Sequence, residues 1–176
     1  MSGRKNDKNE KINKSWYAVY TRPRWEKKVF ERLQNEQLEA YCPQNRVRKK
    51  WSDRTKWVQE PLFKSYVFVK VAEEEMTRVR MVNGVVNFVY WLGKPAVVKQ
   101  KEIETIRKFL NDYEEVWAEP IDLSADARVT IRKGLLMDKE ARVMKVMNNK
   151  VRVVIESIGY SLVAVIHKSN VTLIGK

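Results

Sequence analysis

The chain has 176 residues, of which 44% are hydrophobic and 32% charged, and its formal net charge is +13. This apolar content suffices for one medium-sized domain or two small ones and excludes a chain that is disordered throughout. No apolar run approaches the roughly 18 to 20 residues that a membrane span requires, and residues 1–14 lack the apolar core of a signal peptide, so we expect a cytoplasmic protein with no membrane partner.

The positive charge is concentrated towards the two ends of the chain. Residues 1–57 contain 16 Lys+Arg against 7 Asp+Glu, residues 58–123 contain 9 against 11, and residues 124–176 contain 10 against 4. Because an excess of cations attracts polyanions over a long range, this distribution predicts a nucleic-acid contact near the N-terminal part and leaves the middle free to meet a protein. The alternative is that the basic residues only solvate the surface.

The N-terminal part is predicted to contain a tail, a strand and a helix. Residues 1–14 are polar, charged and aperiodic, which predicts a disordered basic tail. Residues 16–21 alternate in the manner of a strand. Pro23 suits the first turn of a helix, and apolar residues recur at i, i+4 and i+8 after it, so a helix is predicted over residues 24–37. The apolar positions are Trp25, Val29 and Leu33, and the other face carries Arg24, Lys27, Lys28 and Arg32.

A basic and aromatic segment follows the helix. The run Arg46-Val-Arg-Lys-Lys50 precedes Trp51 and Trp57, which are symmetric about Arg54. A hairpin that turns at residues 53–55 would place the two indole rings opposite each other. Two interpretations remain open: a cross-strand pair that stiffens the hairpin, or rings that stack on nucleic acid.

Residues 65–71 are predicted to form a central strand. Because strand side chains alternate, Tyr66 and Phe68 share one face while Val67 and Val69 share the other. One face can pack on helices, and the second can cover a further element or receive a partner. The alternative is that both faces are buried core.

The middle of the chain is predicted to continue with short elements. Residues 73–81 have a helical pattern that ends at Gly84. A strand is predicted over residues 85–90, followed by a turn at residues 93–95.

A further helix, a linker and a group of short strands complete the prediction. Apolar residues at i, i+3, i+7 and i+10 from Ile103 predict a helix that ends near residue 115. Residues 116–125 have neither period and are interpreted as a linker. Residues 126–176 contain short alternating runs that predict a small barrel, because closure removes exposed strand edges. The runs are residues 129–131, 143–146, 151–155 and 162–166, with a hairpin turn expected at Asn148-Asn149.

The chain has few residues that could form a catalytic or metal site. His167 is the only histidine and Cys42 the only cysteine, which excludes an internal disulfide and a thiolate and imidazole cluster for zinc. The acidic runs 73–75 and 114–115 consist of adjacent residues, whose side chains point apart on a helix. Phosphate-binding glycine-rich loops are absent from the sequence. We therefore expect no enzyme, no catalytic residue, no metal and no cofactor.

Three segments carry a resemblance to a known family. Trp16-Tyr17, then Phe63-Lys-Ser-Tyr-Val67, then residues 85–89 follow one another as in the NusG family of transcription elongation factors, although Lys64 and Ser65 replace the family's Pro-Gly. The chain most resembles the specialised paralogues of the RfaH and UpxY type. Val129, Ile131 and Gly134 are similar to the family's KOW motif, although Ala141 stands where a second glycine is usual.

The resemblance implies an α+β fold with two modules. Residues 15–115 would form a NusG-like α/β sandwich, in which helices pack on an antiparallel sheet. A linker over residues 116–125 would lead to a small SH3-like KOW β-barrel over residues 126–176.

The resemblance also implies partners and site residues. Phe63, Tyr66 and Phe88 would contact the clamp helices of the RNA polymerase β′ subunit, and Thr77 and Arg78 the gate loop of the β subunit. The cations at the start of the first helix, Arg22, Arg24, Lys27 and Lys28, would contact the non-template DNA strand. The KOW-like module would bind ribosomal protein S10 or the Rho factor.

The basic run of the predicted hairpin supplies a second set of nucleic-acid candidates, Arg48, Lys49 and Lys50. Guanidinium groups pair with phosphate in a planar fork and stack on unpaired bases. The leading hypothesis is an elongation and antitermination factor that suppresses pausing and termination on specific operons. The alternative is a free-standing KOW-type RNA-binding protein of the ribosomal kind.

Overall fold

The computed structural model describes residues 13–113, 115–120, 127–131, 140–143, 150–165 and 171–173. Most of the predicted tail, Gly134, the Asn148-Asn149 turn and His167 lie outside the described residues. Lys14, which was assigned to the tail, is placed by an ion pair of 2.9 Å with Glu75.

The described residues form these elements, in chain order: β1 (Ser15–Thr21), α1 (Glu26–Asn35), β2 (Glu39–Tyr41), β3 (Gln44–Lys50), β4 (Thr55–Pro61), β5 (Tyr66–Val71), a 3-10 helix (Glu73–Glu75), α2 (Met76–Met81), β6 (Val85–Phe88), β7 (Tyr90–Trp91), β8 (Lys94–Pro95), β9 (Val97–Val98), α3 (Gln100–Asp112), β10 (Val116–Pro120), β11 (Ala127–Ile131), β12 (Glu140–Val143), β13 (Lys150–Ile155), a second 3-10 helix (Glu156–Ile158), β14 (Tyr160–Val165) and β15 (Val171–Leu173).

The main sheet is antiparallel, with the strand order β2-β5-β1-β6 and with β9 also paired to β1. Strand β5 lies between β2 and β1, so the prediction of a central strand is confirmed. Val67 and Val69 belong to one buried cluster and Phe68 to another, on the opposite face, with Tyr66 packed against the latter. The predicted alternation of these side chains is therefore confirmed.

Helices α1 and α2 cover the first face of this sheet. Val29 and Leu33 of α1 are completely buried there, as the apolar spacing predicted. The helix is shorter than expected, because Arg24 (φ 65°) and Gln37 (φ 59°) have left-handed backbone conformations that a helix does not accept. Pro23 consequently precedes the helix instead of occupying its first turn.

Gly84 ends the connection from α2 to β6 and has φ of +103°. A Cβ atom at this position would lie 2.7 Å from Cε3 of Trp25 and 2.8 Å from Cγ2 of Val29. Both the backbone conformation and the close approach of α1 therefore require glycine here.

Helix α3 and the C-terminal strands cover the second face of the sheet. One continuous buried cluster joins residues of β1, β5 and α3 to residues of β13 and β14. Its members include Trp16, Ala18, Phe63, Phe68, Ile103, Ile106 and Phe109 from the first part of the chain, and Ile155, Ile158, Leu162 and Ala164 from the second.

The prediction that residues 116–125 form a linker is wrong for residues 116–120. These residues form β10, which pairs with β14 so that Val116 lies opposite Ala164. Val116 is buried, and Pro120 is tolerated because β10 lies at the edge of its sheet. The described C-terminal strands form two three-stranded sheets, β10-β14-β13 and β12-β11-β15. Strand β12 at Glu140–Val143 includes the first residue of the run expected over residues 143–146, and the rest of that run lies outside the described residues. A closed KOW barrel stays a prediction.

Strands β3 and β4 form a separate hairpin whose register differs from the predicted one. Arg48, not Trp51, lies opposite Trp57, and the Trp51 N–H donates a hydrogen bond of 2.7 Å to the carbonyl oxygen of Arg54. The prediction that the two tryptophans face each other is wrong. The observed register aligns Val47 with Val58, so the two valines of the hairpin lie opposite each other across the strands.

Candidate functional site

The second face of the main sheet carries a group of ring contacts that we call the aromatic cluster: Tyr20, Phe63, Tyr66, Phe68 and Tyr160. The Phe63 ring lies 5.6 Å from Phe68 and 5.6 Å from Tyr160, both edge to face. The Tyr66 ring lies 4.7 Å from Tyr20 and 5.7 Å from Tyr160, and its hydroxyl donates a hydrogen bond of 3.1 Å to the Tyr20 hydroxyl. Two of the predicted polymerase contacts, Phe63 and Tyr66, therefore lie together.

The aromatic cluster is covered by residues 155–164, the covering segment. Tyr160 contacts both Phe63 and Tyr66, and Phe63 is only 1% exposed. The segment is also attached to α3, because the backbone N–H of Ser157 donates a hydrogen bond of 3.1 Å to Glu102 Oε1 and its hydroxyl donates a second to Oε2 of the same carboxylate. A protein partner could reach Phe63 only if the covering segment moved away.

The surroundings of the aromatic cluster change the pKa of Tyr66. Burial raises the pKa of the Tyr66 hydroxyl, and its hydrogen bond with Tyr20 raises it further. The neutral phenol is therefore the form that the covered state accommodates.

Phe88 does not lie with Phe63 and Tyr66. It is paired with Val19 of β1 and packs on the first face, among residues of α1 and α2, with its ring 5.8 Å from Tyr17. Successive side chains of an extended chain alternate between faces. The next residue, Val89, therefore packs against the buried core on the second face of the sheet. The depression expected from Phe63, Tyr66 and Phe88 is therefore not formed by these three residues.

Thr77 and Arg78 lie on α2, where both are exposed. Arg78 Nη2 donates a hydrogen bond of 2.6 Å to the carbonyl oxygen of Glu36 at the end of α1. Its Nη1 lies 3.9 Å from Glu75, whose pKa is lowered by the hydrogen bond from the Ala72 N–H and by Lys14. Arg78 thus connects two helices in addition to any contact that it makes with a partner.

The cations predicted at the start of α1 surround an indole ring. Arg22 Cζ lies 5.4 Å, Lys28 Nζ 5.1 Å and Arg32 Cζ 5.1 Å from the ring centroid of the half-buried Trp25. Arg32 was on the predicted basic face but not among the predicted site residues, and its proximity to Arg22 could not be seen without the tertiary structure. Contacts of this kind hold charged groups in place at the surface, where they form a concentrated positive patch.

The other two predicted cations of this region lie nearby. Arg24 is exposed, and Lys27 Nζ donates a hydrogen bond of 2.7 Å to the carbonyl oxygen of Gln59 in β4. Helix α1 is thereby connected to the base of the β3–β4 hairpin.

The connection into β5 explains how Lys64 and Ser65 replace Pro-Gly. Ser65 has φ of +62°, in the left-handed region where glycine is usual. The Glu26 carboxylate is buried and accepts a hydrogen bond of 2.6 Å from the Ser65 N–H, while the Ser65 carbonyl accepts one of 2.9 Å from the Thr21 N–H. These two bonds stabilise the conformation in the absence of glycine.

The β3–β4 hairpin separates its cations between two faces. Arg46, Arg48 and Lys50 alternate along β3 on the face that carries Trp57. Lys49 lies on the other face and forms an ion pair with Glu60. The structure thus brings Arg48 and Lys50 together with an exposed indole, whereas Lys49 is directed away from them.

The cysteine in the described part of the chain has an unreactive thiol. Cys42 is buried, and burial, with a smaller contribution from Glu26, raises the pKa of its thiol to about 12. The thiol is therefore protonated and unreactive near neutral pH. Within the described ranges, no three His, Cys, Asp or Glu side chains are grouped so that they could hold a metal ion. The described helices include none that is long and apolar enough to cross a membrane.

Comparison with known proteins identifies the family of this chain. A model described as "Transcription termination factor nusG" matches residues 14–107 of this chain, more than half of its length. The chain belongs to the NusG family. Two curated NusG relatives, the transcription termination/antitermination proteins of Streptococcus pyogenes serotype M3 (strain SSI-1) and serotype M1, are each 28% identical to it over 169 residues, which cover 88% of this chain and 93% of the relative.

A solved structure supports the same fold. The chain is similar to Thermotoga maritima NusG, in a structure described as "Domain interaction in Thermotoga maritima NusG", with a TM-score of 0.56 and 23% identity. The match covers 93% of this chain and 99% of the other. The mixed helix and sheet content with antiparallel sheets is thus a NusG-like fold.

Proposed function

We propose that this NusG-family protein is a specialised elongation and antitermination factor that binds the clamp helices of RNA polymerase through the face that carries Phe63 and Tyr66. The observation that carries the proposal is the aromatic cluster: rings of a central strand that form a concentrated apolar surface once the covering segment is removed. A helix seated on such a surface would obtain most of its affinity from a few buried aromatic side chains. The curated relatives are named as transcription termination/antitermination proteins, which agrees with this role.

Docking in this way requires two states of the protein. In the covered state, Tyr160 occupies the position beside Phe63 and Tyr66 that the polymerase helices would take. The apparent affinity for polymerase is then reduced by the fraction of molecules that are covered. Loosening the covering segment should therefore strengthen polymerase binding, and removing the rings beneath it should weaken binding.

One positive surface would contact DNA once the protein is bound, and a second surface would contact the β subunit of the polymerase. The patch of Arg22, Lys28 and Arg32 around Trp25, with Arg24 and Lys27 nearby, would face the exposed non-template strand. Thr77 and Arg78 would be directed at the gate loop of the β subunit. A bridge between these parts of the polymerase would favour a closed clamp and reduce pausing, by no more than its difference in affinity for the closed and open states. Ribosomal protein S10 or Rho would be the partner of the C-terminal strands.

The experiment is elongation by the cognate purified RNA polymerase through a pause site and a terminator, with the wild-type chain and two variants. Tyr66→Ala should weaken polymerase binding and antitermination about tenfold, because a buried aromatic anchor is lost. Tyr160→Ala should strengthen binding by about threefold to tenfold, because it removes ring contacts of about 0.5 to 1.5 kcal/mol from the covered state. If neither variant changes polymerase binding, the docking proposal is wrong.

A matched control and a competing outcome complete the design. Trp51→Ala removes an exposed ring at the far end of the β3–β4 hairpin and should leave polymerase binding unchanged. A wild-type chain that retains ribosomal RNA from an extract, but neither binds polymerase nor alters elongation, would instead support the alternative of a free-standing RNA-binding protein.

A further inference from the structure

A polar cavity lies between the base of the β3–β4 hairpin and the end of α3. Its volume is about 360 Å3, within the range of small-ligand pockets. The residues that the following argument uses are Gln44, Arg46, Trp57, Gln59, Asn111 and Tyr113. We call it the hairpin cavity.

One wall of the hairpin cavity is an indole ring held by a cation. Arg46 Cζ lies 5.0 Å from the centroid of the Trp57 ring, and 46% of Trp57 is exposed. The guanidinium therefore fixes the orientation of the ring and leaves much of its surface available to another flat group. An aromatic platform of this kind stacks on a nucleobase irrespective of its sequence, since every base has a π-face.

Several other lining residues supply hydrogen-bonding groups. The side-chain amides of Gln44, Gln59 and Asn111 each offer both donors and an acceptor. The Tyr113 hydroxyl is shielded from solvent and has no hydrogen-bond partner among the described residues, so a ligand would reach it only after the Tyr113 side chain turned towards the cavity. A buried polar atom without a partner is unusual, and a ligand that supplies the missing bond is one explanation of it.

The protonation state of Tyr113 fits a donor. Burial raises the pKa of its hydroxyl, and the neighbouring Asp112 raises it further. The group therefore stays protonated at neutral pH and can donate to a carbonyl oxygen or ring nitrogen of a base.

The same face of the hairpin continues as a row of cations. Arg48 lies directly opposite Trp57, and Lys50 follows two residues later on this face. Neither has a carboxylate within ion-pair distance in the described part of the chain. On the other face Lys49 is paired with Glu60 and lies opposite Lys56, whereas Arg48 and Lys50 are, among the described residues, the unpaired cations beside the open indole on the cavity side.

We propose that the hairpin cavity binds one unpaired nucleotide of a single-stranded nucleic acid, with the base stacked on Trp57 and hydrogen-bonded to the cavity amides and Tyr113, and with the adjoining phosphates at Arg48 and Lys50. Stacking supplies affinity for any base, and the amides favour some bases over others. The assignment of that nucleotide to the non-template DNA of a transcription bubble rests on the proposed function, whereas the site itself does not.

The test uses the purified full chain without polymerase and a fluorescent single strand of about twelve nucleotides, the length that a small binding module covers. Binding is measured by anisotropy for a DNA strand, an RNA strand of the same sequence and a DNA strand of the same length that lacks all bases. Trp57→Ala should weaken binding of the base-containing strand about tenfold, as expected for the loss of one stacked base. It should leave the weaker binding of the base-free strand unchanged.

Matched variants separate stacking from charge and from folding. Trp51→Ala removes an exposed indole from the same hairpin outside the cavity and should alter binding by less than about twofold. Trp57→Phe keeps a stacking ring and should retain most of the affinity. Arg48→Gln should lower the slope of log K against log salt by about 0.7, the value for one phosphate contact on a single strand, while Trp57→Ala leaves that slope unchanged.

Each outcome decides for or against the site. Loss of affinity with Trp57→Ala but not with Trp51→Ala supports it, and equal dependence on Trp57 for DNA and RNA shows that the sugar is not read. The proposal is overturned if the wild-type chain binds the base-free strand as tightly as the others, if both tryptophan variants have the same effect, or if no saturable binding occurs. Because polymerase is absent, failure here leaves polymerase docking untouched, and a failure of docking leaves this result standing.

Discussion

Two aromatic regions of this molecule contrast in their surroundings: the aromatic cluster of the main sheet and the tryptophans of the β3–β4 hairpin. Phe63 is 1% exposed and lies beneath Tyr160, whereas Trp51 and Trp57 are 57% and 46% exposed. Both regions are rich in aromatic residues in the sequence. The difference teaches that composition identifies candidate surfaces, but that tertiary contacts decide which of them is available in the free protein.

The covered region should depend on its rings for stability, and the open region should not. Phe63→Ala is expected to lower the free energy of unfolding by about 3 to 5 kcal/mol, because it removes a fully buried ring from a packed cluster. The measurement is denaturant unfolding followed by circular dichroism. Trp51→Ala, a loss of comparable size at an exposed position, should change the same quantity by less than about 0.5 kcal/mol. Equal effects of the two substitutions would show that the covered and the exposed rings contribute equally to stability, which would contradict this prediction.

The attachment of the covering segment to α3 offers a smaller perturbation. Ser157→Ala removes a hydroxyl that donates to the Glu102 carboxylate, and hydrogen bonds to charged groups contribute about 1.5 to 3 kcal/mol. We expect faster amide hydrogen exchange throughout residues 155–164, with exchange in β3 and β4 unchanged.

Thr105→Ala is the matched control for this prediction. The Thr105 hydroxyl donates only to the carbonyl oxygen of Lys101 within α3, so its loss should not release the covering segment. Faster exchange in the Thr105 variant, or unaltered exchange in the Ser157 variant, would show that Glu102 does not hold the cover in place.

Much of the main sheet follows from local patterns in the sequence. The alternation of Tyr66 to Val69 correctly assigns the two faces of β5, and the spacing of Val29 and Leu33 correctly assigns the buried side of α1. These features depend on periods within one element, which the sequence displays directly.

Features that depend on pairing could not be read in the same way. The partner of Trp57 changes if the turn moves by about one residue, and the face of Phe88 changes with a slip of one position along β6. Strand β10 is defined by β14, more than forty residues later in the chain, so the segment by itself resembled a linker. Tyr160 is almost a hundred residues from Phe63, and no local signal announces their contact.

The residues of the hairpin cavity illustrate the same limit. Arg46 and Trp57 were visible as parts of a basic and aromatic segment, but Gln59 becomes a candidate only once its pairing with Arg46 is known. Asn111 and Tyr113 come from α3 and the residue after it, where the helical pattern indicated only packing. A ligand site made of separate elements is thus the last feature that a single sequence reveals.

The pH dependence of stability should distinguish the covered tyrosine from exposed ones. Because the folded protein holds the pKa of Tyr66 above its ordinary value, its contribution is complete below about pH 10 and is lost as the pH rises further, when the unfolded chain releases its proton first. Tyr66→Phe removes that proton and the hydrogen bond to Tyr20, at a cost of about 0.5 to 1 kcal/mol near neutral pH.

The measurement for this prediction is the free energy of unfolding of both proteins from neutral to alkaline pH. The curve of the Tyr66→Phe variant should fall less steeply above pH 10 than that of the wild-type chain. Tyr41, whose pKa burial raises to about 12, titrates in both proteins and therefore does not affect the difference. Parallel curves would mean that Tyr66 is not held in a covered environment.

The smallest effect is expected on the outer face of the hairpin. Lys49→Gln breaks the exposed ion pair with Glu60, and such pairs contribute about 0.2 to 1 kcal/mol at most, so thermal unfolding should hardly change. Single-strand binding should also change little, because Lys49 points away from the row of Arg48 and Lys50 that adjoins the hairpin cavity. Lys50→Gln is the paired variant: it should leave stability unchanged as well but reduce the salt dependence of single-strand binding. If Lys49 and Lys50 prove equivalent in that assay, nucleic acid reads the total charge of the hairpin and not the face that carries Trp57.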